Sequence, residues 1–245
     1  MSDELRAPMQ QTAAAEPGPI SRLFGVLFAP RKTYETIVRA PKVLGALMVV
    51  TLAVAGGAGV ILSTEVGQQA ALEQQLDAME SFGISVNDEM YTQMERQMGN
   101  AVYFSIGGAA IGIPLLGLVV AGVLWSVCYV VLGAHAPFKA MFAVVAHAGV
   151  VNIVQQAFVL PLNYARGAMN SPSTLAAFFP MLEESTFAQS TLAAVDLFIV
   201  WQLFIVAIGV GVLYGRHTGP IATTFYVLYA LIATGIGSVL SQIGG

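Results

Sequence analysis

Charged residues are scarce in this chain of 245 residues: Asp, Glu, Lys and Arg make up 10% of it, against about 25% in a typical soluble domain. There are only 10 basic residues against 14 acidic ones, and the net charge is −4. This balance provides no basic surface for DNA or RNA. The single cysteine, Cys128, excludes an internal disulfide and a cysteine-based metal cluster. We therefore expect no nucleic-acid partner and no metal site.

The motifs of common enzyme classes are also missing. The sequence has no Gly-rich phosphate loop ending in Lys-Ser/Thr, no His-Glu-x-x-His, no Cys-x-x-Cys and no Gly-x-Ser-x-Gly. Its charged residues form no obvious acid–base pair outside the apolar runs. We expect a protein that is not an enzyme, that uses no cofactor and for which no soluble small-molecule substrate can be identified.

Long apolar runs dominate the sequence, in which 56% of residues are hydrophobic and the mean hydropathy is +0.74. About 20 apolar residues suffice to cross ~30 Å of hydrocarbon as a helix. The runs that meet this requirement are 43–62, 101–132, 138–160, 192–214 and 221–243. The sequence therefore predicts an all-α fold, an integral membrane bundle of five transmembrane helices within a domain spanning 43–245.

The region before the first run divides into two parts. Residues 1–19 are polar and interrupted by proline, and such a composition predicts a disordered tail. Residues 20–42 instead predict amphipathic helices. Their apolar positions fall at helical spacing on one face: Ile20, Leu23, Phe24, Leu27 and Phe28.

Pro30 ends this first amphipathic helix and begins a second one, which carries Tyr34 on its apolar side and Arg31 and Lys32 among its charges. An apolar face with basic flanks favours the headgroup layer of a membrane. The alternative is that the segment docks on the ends of the spanning helices. The candidate membrane-interface residues are Leu23, Phe24, Leu27, Phe28, Pro30, Arg31, Lys32 and Tyr34.

The distribution of Lys and Arg predicts the orientation in the membrane. Six basic residues precede the first run, and the two short turns near 133–137 and 215–220 add two more. The loops 63–100 and 161–191 contain one each. Because basic residues accumulate on the cytoplasmic side, the N-terminus is expected in the cytoplasm and, after five crossings, the C-terminus outside.

The long outer loop 63–100 is itself expected to be helical. Its apolar positions fit two short helices broken at Gly83, with Asn87 as the N-cap of the second. Met90, Met94 and Met98 lie at helical spacing. We interpret them as a packing stripe.

Five polar residues within the apolar runs form the second candidate site: Asp196, Gln202, Asn152, Gln155 and Gln156. Ionisable groups are costly inside a bilayer and often mark functional sites. Counting ~1.5 Å per residue places Asp196 level with Gln156, and Gln202 level with Asn152. The cluster either fastens helices together or lines a cavity for an ion, a proton or a lipid headgroup.

Three stretches resemble the YIP family, five-span proteins named for their interaction with Ypt/Rab GTPases. These are Leu27-Phe-Ala-Pro-Arg-Lys-Thr-Tyr34 followed by Ala40-Pro41, then Gly133 to Lys139 leading to His147, and Asp196 to Gln202 leading to Gly209. The resemblance extends from about Ser21 to Gly237. The brief N-terminal region and the long loop 63–100 resemble the prokaryotic branch.

The resemblance implies a membrane adaptor or organiser in the inner (plasma) membrane of a bacterium. Its partners would be the lipid bilayer and another membrane protein or a second copy of the chain. The alternative is a small transporter or lipid translocator that uses the polar cluster around Asp196. The family supplies no active-site residue to this sequence.

Overall fold

A computed structural model describes residues 18–132, 135–169, 171–183 and 186–243. The expected tail, 1–19, lies almost entirely outside these residues. Within them the chain forms eleven α-helices, one short 3-10 helix at Leu175–Phe178 and no strand. The all-α prediction is therefore confirmed.

Two short helices precede the first long apolar helix. Helix α1 (Pro19–Phe28) and helix α2 (Pro30–Arg39) are separated by a single residue, and a proline occupies the first turn of each. The fixed φ of proline suits this position. Gly25 allows α1 to approach Thr33 of α2, because a side chain there would overlap the threonine.

Five segments are long and apolar enough to cross a membrane. They are α3 (Val43–Leu62), α6 (Ala101–Leu132), α7 with α8 (Phe138–Ala148 and Val150–Arg166), α10 (Leu197–Tyr214) and α11 (Thr218–Ile243). The five-helix prediction is confirmed. Helix α6 contains Pro114, and the third segment has a turn at Gly149 between α7 and α8.

The fourth segment differs from the expected run of 192–214. Its helix begins at Leu197, because Asp196 is the N-cap and has an extended backbone. Residues Phe187–Ala193 form a separate short helix, α9. Asp196 therefore lies at the end of the spanning helix. The run 192–214 predicts a position inside that helix.

Helices α3, α7, α8 and α10 form the centre of the bundle, and α6 and α11 pack on its flanks. Half of the most apolar stretch of α7–α8 is buried, compared with 11% in α6 and 11% in α11. The fully buried side chains include Met141, Val144, Val151 and Val210. The remaining apolar surface of α6 and α11 is suited to lipid.

The loop 63–100 contains α4 (Glu65–Ser81) and α5 (Asp88–Met98). Gly83 adopts the left-handed φ of +72° between them, and the side chain of Asn87 caps α5 by accepting the N–H of Met90 at 2.8 Å. Both predictions for this loop are confirmed. Met90 and Met94 line a cleft with Met79 of α4, and the packing role of the methionines stays a prediction.

Candidate functional site

Tyr34 attaches α2 to the bundle. Its side chain is completely buried, and its hydroxyl donates a hydrogen bond to the carbonyl oxygen of Val144 in α7 at 3.2 Å. On α10 the ring lies against Gly209, where an added Cβ would come within 3.1 Å of the ring and would overlap Val144. Gly209 therefore provides the space in which the tyrosine ring is held.

Burial also shifts the pKa of the Tyr34 hydroxyl. Removing its hydroxyl from water raises the pKa of the group well above the usual value for tyrosine, because desolvation disfavours the phenolate. Ile37, one turn along α2, is fully buried as well. The inner face of α2 therefore packs on other helices of the same chain.

The outward surface of the α1–α2 pair is apolar and basic. On α1, Ile20 and Phe24 are both 59% exposed and Phe28 is 83% exposed. Arg31 and Lys32 are exposed on α2. Large apolar groups beside Lys and Arg are characteristic of helices that lie in a headgroup layer.

The structure thus divides the expected interface residues between two faces. Leu23 and Tyr34 are buried against the bundle, and Leu27 and Pro30 are half-buried. Leu23 and Tyr34 contact the bundle because α1 and α2 dock on α3, α7 and α10. The docking alternative therefore describes the inner face of the helix pair, and the interfacial alternative stays a prediction for its exposed face.

Arg22 is a buried residue that sequence reasoning missed. It is 2% exposed, and its Nη1 donates to the carbonyl oxygen of Ala40 at 3.2 Å. This bond connects α1 to the C-cap of α2. Its position beside Leu23, on the inward face of α1, is the only sequence signal for this role.

Asp196 is the centre of the polar cluster at the opposite end of the bundle. It is 6% exposed. Its Oδ1 accepts the N–H groups of Phe198 at 2.7 Å and Ile199 at 3.4 Å. These are N–H groups that the first turn of a helix leaves unpaired, and the positive end of the helix dipole favours a carboxylate there.

The second carboxylate oxygen of Asp196 binds three side chains. Oδ2 accepts bonds from Ser173 Oγ at 2.6 Å, Ser171 Oγ at 2.9 Å and Gln155 Nε2 at 3.2 Å. When both serines donate to Oδ2, their own 2.9 Å contact holds no hydrogen between them. The carboxylate is thus surrounded by donors from the protein itself.

Tyr229 of α11 completes this cluster. Its hydroxyl accepts the backbone N–H of Asp196 at 2.9 Å and donates to the carbonyl oxygen of Ala194 at 3.0 Å. The cluster therefore joins α8, the loop at 171–173, α10 and α11. An Asp directly before an apolar run is a recognised N-cap signal, whereas no sequence signal singled out Ser171, Ser173 or Tyr229.

The four amides of the candidate cluster are not all brought to Asp196. Gln155 contacts it, but Gln156 turns towards α3, where its Nε2 donates to the carbonyl oxygen of Val54 at 3.1 Å. Gly57 leaves room for this side chain, because a Cβ there would overlap the amide oxygen.

The other two amides, Asn152 and Gln202, are half-buried. Among the hydrogen bonds of the described residues, neither of them pairs with Asp196. The five residues predicted to form one polar cluster therefore do not all lie together. Gln155 binds Asp196, Gln156 binds α3, and among the described residues Asn152 and Gln202 do neither.

Within the described parts of the chain, no group of three or more His, Cys, Asp or Glu side chains is placed to hold a metal ion. The one described cysteine, Cys128, is buried on α6. The described side chains at both candidate sites provide hydrogen bonds, apolar contacts and surface charge.

Comparison with known proteins gives one family. A model of the Yip1 domain matches residues 24–241, from α1 to the last turn of α11. The match therefore includes the second half of α1, all of α2, the five apolar segments apart from the end of α11, and both candidate sites apart from Leu23. No curated protein and no solved structure matches the chain.

Proposed function

We propose, from the premise that this chain belongs to the Yip1 domain family, that it is a non-enzymatic membrane adaptor or organiser. The chain is a multi-pass membrane protein by its family and its five apolar helices. Its binding surface would be the outward side of α1 and α2. There it would contact the bilayer and recruit another membrane protein or a second copy of the chain.

The fixed position of the α1–α2 pair is the observation that supports this role. Tyr34 and Ile37 fasten one side of α2 to the bundle. Phe24, Phe28 and Arg31 are left exposed on the other side of the pair. A surface held rigidly needs little further ordering on binding, which favours affinity for a partner.

The distribution of charge supports a cytoplasmic position for this surface. Helices α1 and α2 lie at the end of the bundle that also contains the turns at 135–137 and 215–217. Basic residues concentrate at this end, and such a bias marks the cytoplasmic side. We propose a bacterial inner (plasma) membrane, with the N-terminus cytoplasmic and the C-terminus outside.

The geometry supports an adaptor over the transporter or lipid translocator alternative. A transport site needs a polar group that exchanges protein contacts for a substrate. The Asp196 carboxylate accepts five hydrogen bonds from Phe198, Ile199, Ser173, Ser171 and Gln155. These bonds suit a residue that fastens helices together.

A photo-crosslinking amino acid at Phe28 tests the proposal in native membranes. We expect a discrete protein adduct whose yield falls in an Arg31→Glu/Lys32→Glu background. The matched control is the same amino acid at Tyr103 of α6, which is 76% exposed but distant in sequence from the basic segment. The control should give lipid adducts that do not respond to the charge reversal.

Two results would contradict an adaptor. One is that Phe28 and Tyr103 give the same adducts, all insensitive to the charge reversal. The other is a proton, ion or lipid flux in vesicles containing the purified protein that disappears in Asp196→Asn. The second result would establish the transporter alternative.

A further inference from the structure

An apolar segment outside the five spans is exposed at the end of the bundle opposite α1 and α2. Residues 175–182, Leu-Ala-Ala-Phe-Phe-Pro-Met-Leu, include no charged residue. Phe178 is 60% exposed, Phe179 46% and Met181 77%. Phe187, at the start of α9, is 50% exposed. Exposed apolar groups clustered in this way mark an interaction surface.

Backbone hydrogen bonds fix the depth at which this segment begins. The N–H of Leu175 donates to the carbonyl oxygen of Val195 at 2.8 Å, and the N–H of Leu197 donates to that of Ser173 at 3.0 Å. The segment therefore starts level with the first residue of α10. The 18 residues of α10 extend ~27 Å, close to the ~30 Å thickness of the hydrocarbon. A membrane spanned by α10 would therefore have the edge of its hydrocarbon at Leu175.

The segment is also continuous with apolar surface that faces lipid. Its 3-10 helix packs on α9, which in turn packs on α11. The contact with α11 is close, since a Cβ at Gly237 would overlap Thr191 of α9. The same part of α11 exposes Ile236 and Val239. Lipid that covers these side chains reaches the segment as well.

We propose that residues 175–182 form an interfacial element that inserts Phe178, Phe179 and Met181 into the membrane leaflet remote from α1 and α2. Apolar side chains of interfacial elements lie ~5–10 Å into the boundary between headgroups and acyl chains. Without Lys or Arg, the segment binds lipid through its apolar contacts alone and does not select anionic headgroups. The Asp196 cluster fixes the position of the segment, because the hydroxyls of Ser171 and Ser173, just before it, donate to Asp196 at the start of α10.

Spin labelling of the full-length protein in vesicles tests this assignment. Single cysteines replace Phe179, Ile236 and Tyr91 in a Cys128→Ala background, and each carries a nitroxide. The three positions are matched, at 46%, 45% and 44% exposure, and lie in the segment, on α11 and on α5. Collision with oxygen reports lipid, and collision with a water-soluble nickel chelate reports water.

At Phe179→Cys we expect the ratio of oxygen to nickel collisions to be several-fold higher than at Tyr91→Cys and close to that at Ile236→Cys. The result should be the same in neutral and anionic vesicles. A ratio equal to that of Tyr91→Cys would place the segment in water and overturn the proposal. Low collision with both reagents would mean that protein covers it, which also overturns the proposal. Met181→Cys provides a second position if Phe179→Cys does not fold.

Discussion

The hydroxyl of Tyr34 and the carbonyl oxygen of Val144 are 3.2 Å apart, although 110 residues separate them in the sequence. This bond connects α2 to α7 inside the bundle. The ring that bears the hydroxyl is completely buried. The amphipathic N-terminal segment is therefore an integral part of the fold as well as a surface.

Replacing Tyr34 by Phe should lower the free energy of unfolding by about 0.5–1.5 kcal/mol, the usual net value of one hydrogen bond. Tyr34→Ala should cost more, about 3–5 kcal/mol, because it also removes a buried ring. Thermal unfolding in detergent measures both effects. Thr36→Ala, an exposed site on the same helix, is the control, and an equal loss there would contradict the role of Tyr34.

The stability of the protein should also depend on pH through Tyr34. Burial raises the pKa of its hydroxyl above the ordinary value of about 10. The contribution of Tyr34 is thus complete below pH ~10 and is lost as the pH rises above this value, because the unfolded chain ionises first. Tyr34→Phe should show a smaller alkaline loss of stability than the parent. Identical profiles would contradict the burial of the hydroxyl.

The adjacent glycines Gly56 and Gly57 provide a matched pair for the α3–α8 contact. A Cβ at Gly57 would overlap Gln156 and come within 2.9 Å of Leu160, whereas nothing lies within 4 Å of one at Gly56. We expect Gly57→Leu to lower stability by about 1–3 kcal/mol through overpacking, and Gly56→Leu to be tolerated. Thermal unfolding distinguishes the two variants, and equal effects would show that α3 does not approach α8 there.

Asp196 should tolerate replacement by Asn, because the amide oxygen keeps the helix cap and the new NH2 group can donate to Ser171 and Ser173, whose hydroxyls also accept, while the Gln155 amide turns its oxygen inward. Asp196→Leu removes that cap, at a cost of about 1 kcal/mol. It also strands Ser173 and Gln155, and an unpaired buried donor costs about 1–3 kcal/mol. Thermal unfolding and vesicle flux should be measured for both variants. An Asn variant that is stable but has lost its cellular activity would contradict a purely structural Asp196.

The proposed topology can be checked at the two chain ends, which lie outside the described residues. Single cysteines at Ser2 and Gly245, in a Cys128→Ser background, should react with an impermeant thiol reagent from opposite sides of the membrane. The odd number of crossings is the reason for this expectation. Labelling of both positions from the same side would contradict five crossings.

Local sequence signals were sufficient for several helix boundaries. Pro30, Gly83 and Asn87 each begin or break a helix through their own backbone or side-chain chemistry, so their effects can be predicted without a tertiary structure. The start of α10 was placed too early, although Asp196 carries an N-cap signal, because apolar residues precede it as well as follow it. Composition alone does not distinguish a cap from a residue within a span.

Only the tertiary structure shows which apolar residues of α1 are buried and which are exposed. Leu23 and Phe24 are neighbours on one apolar face, yet Leu23 is 3% exposed and Phe24 is 59% exposed. A broad apolar stripe is compatible with protein on one side and lipid on the other, because a protein interior and a lipid layer both accommodate apolar side chains. The partner of each half is decided only by where the bundle lies.

By itself, the sequence determined the all-α class, the five apolar helices and the family, because apolar length and local caps act within one segment of the chain. Only the tertiary structure decided that Asp196 binds Ser171, Ser173 and Gln155, that Gln156 turns to Val54, and that Tyr34 lies against Gly209. These pairings depend on how the helices rotate and approach one another. That geometry follows from packing many side chains at once, which no single stretch of sequence specifies.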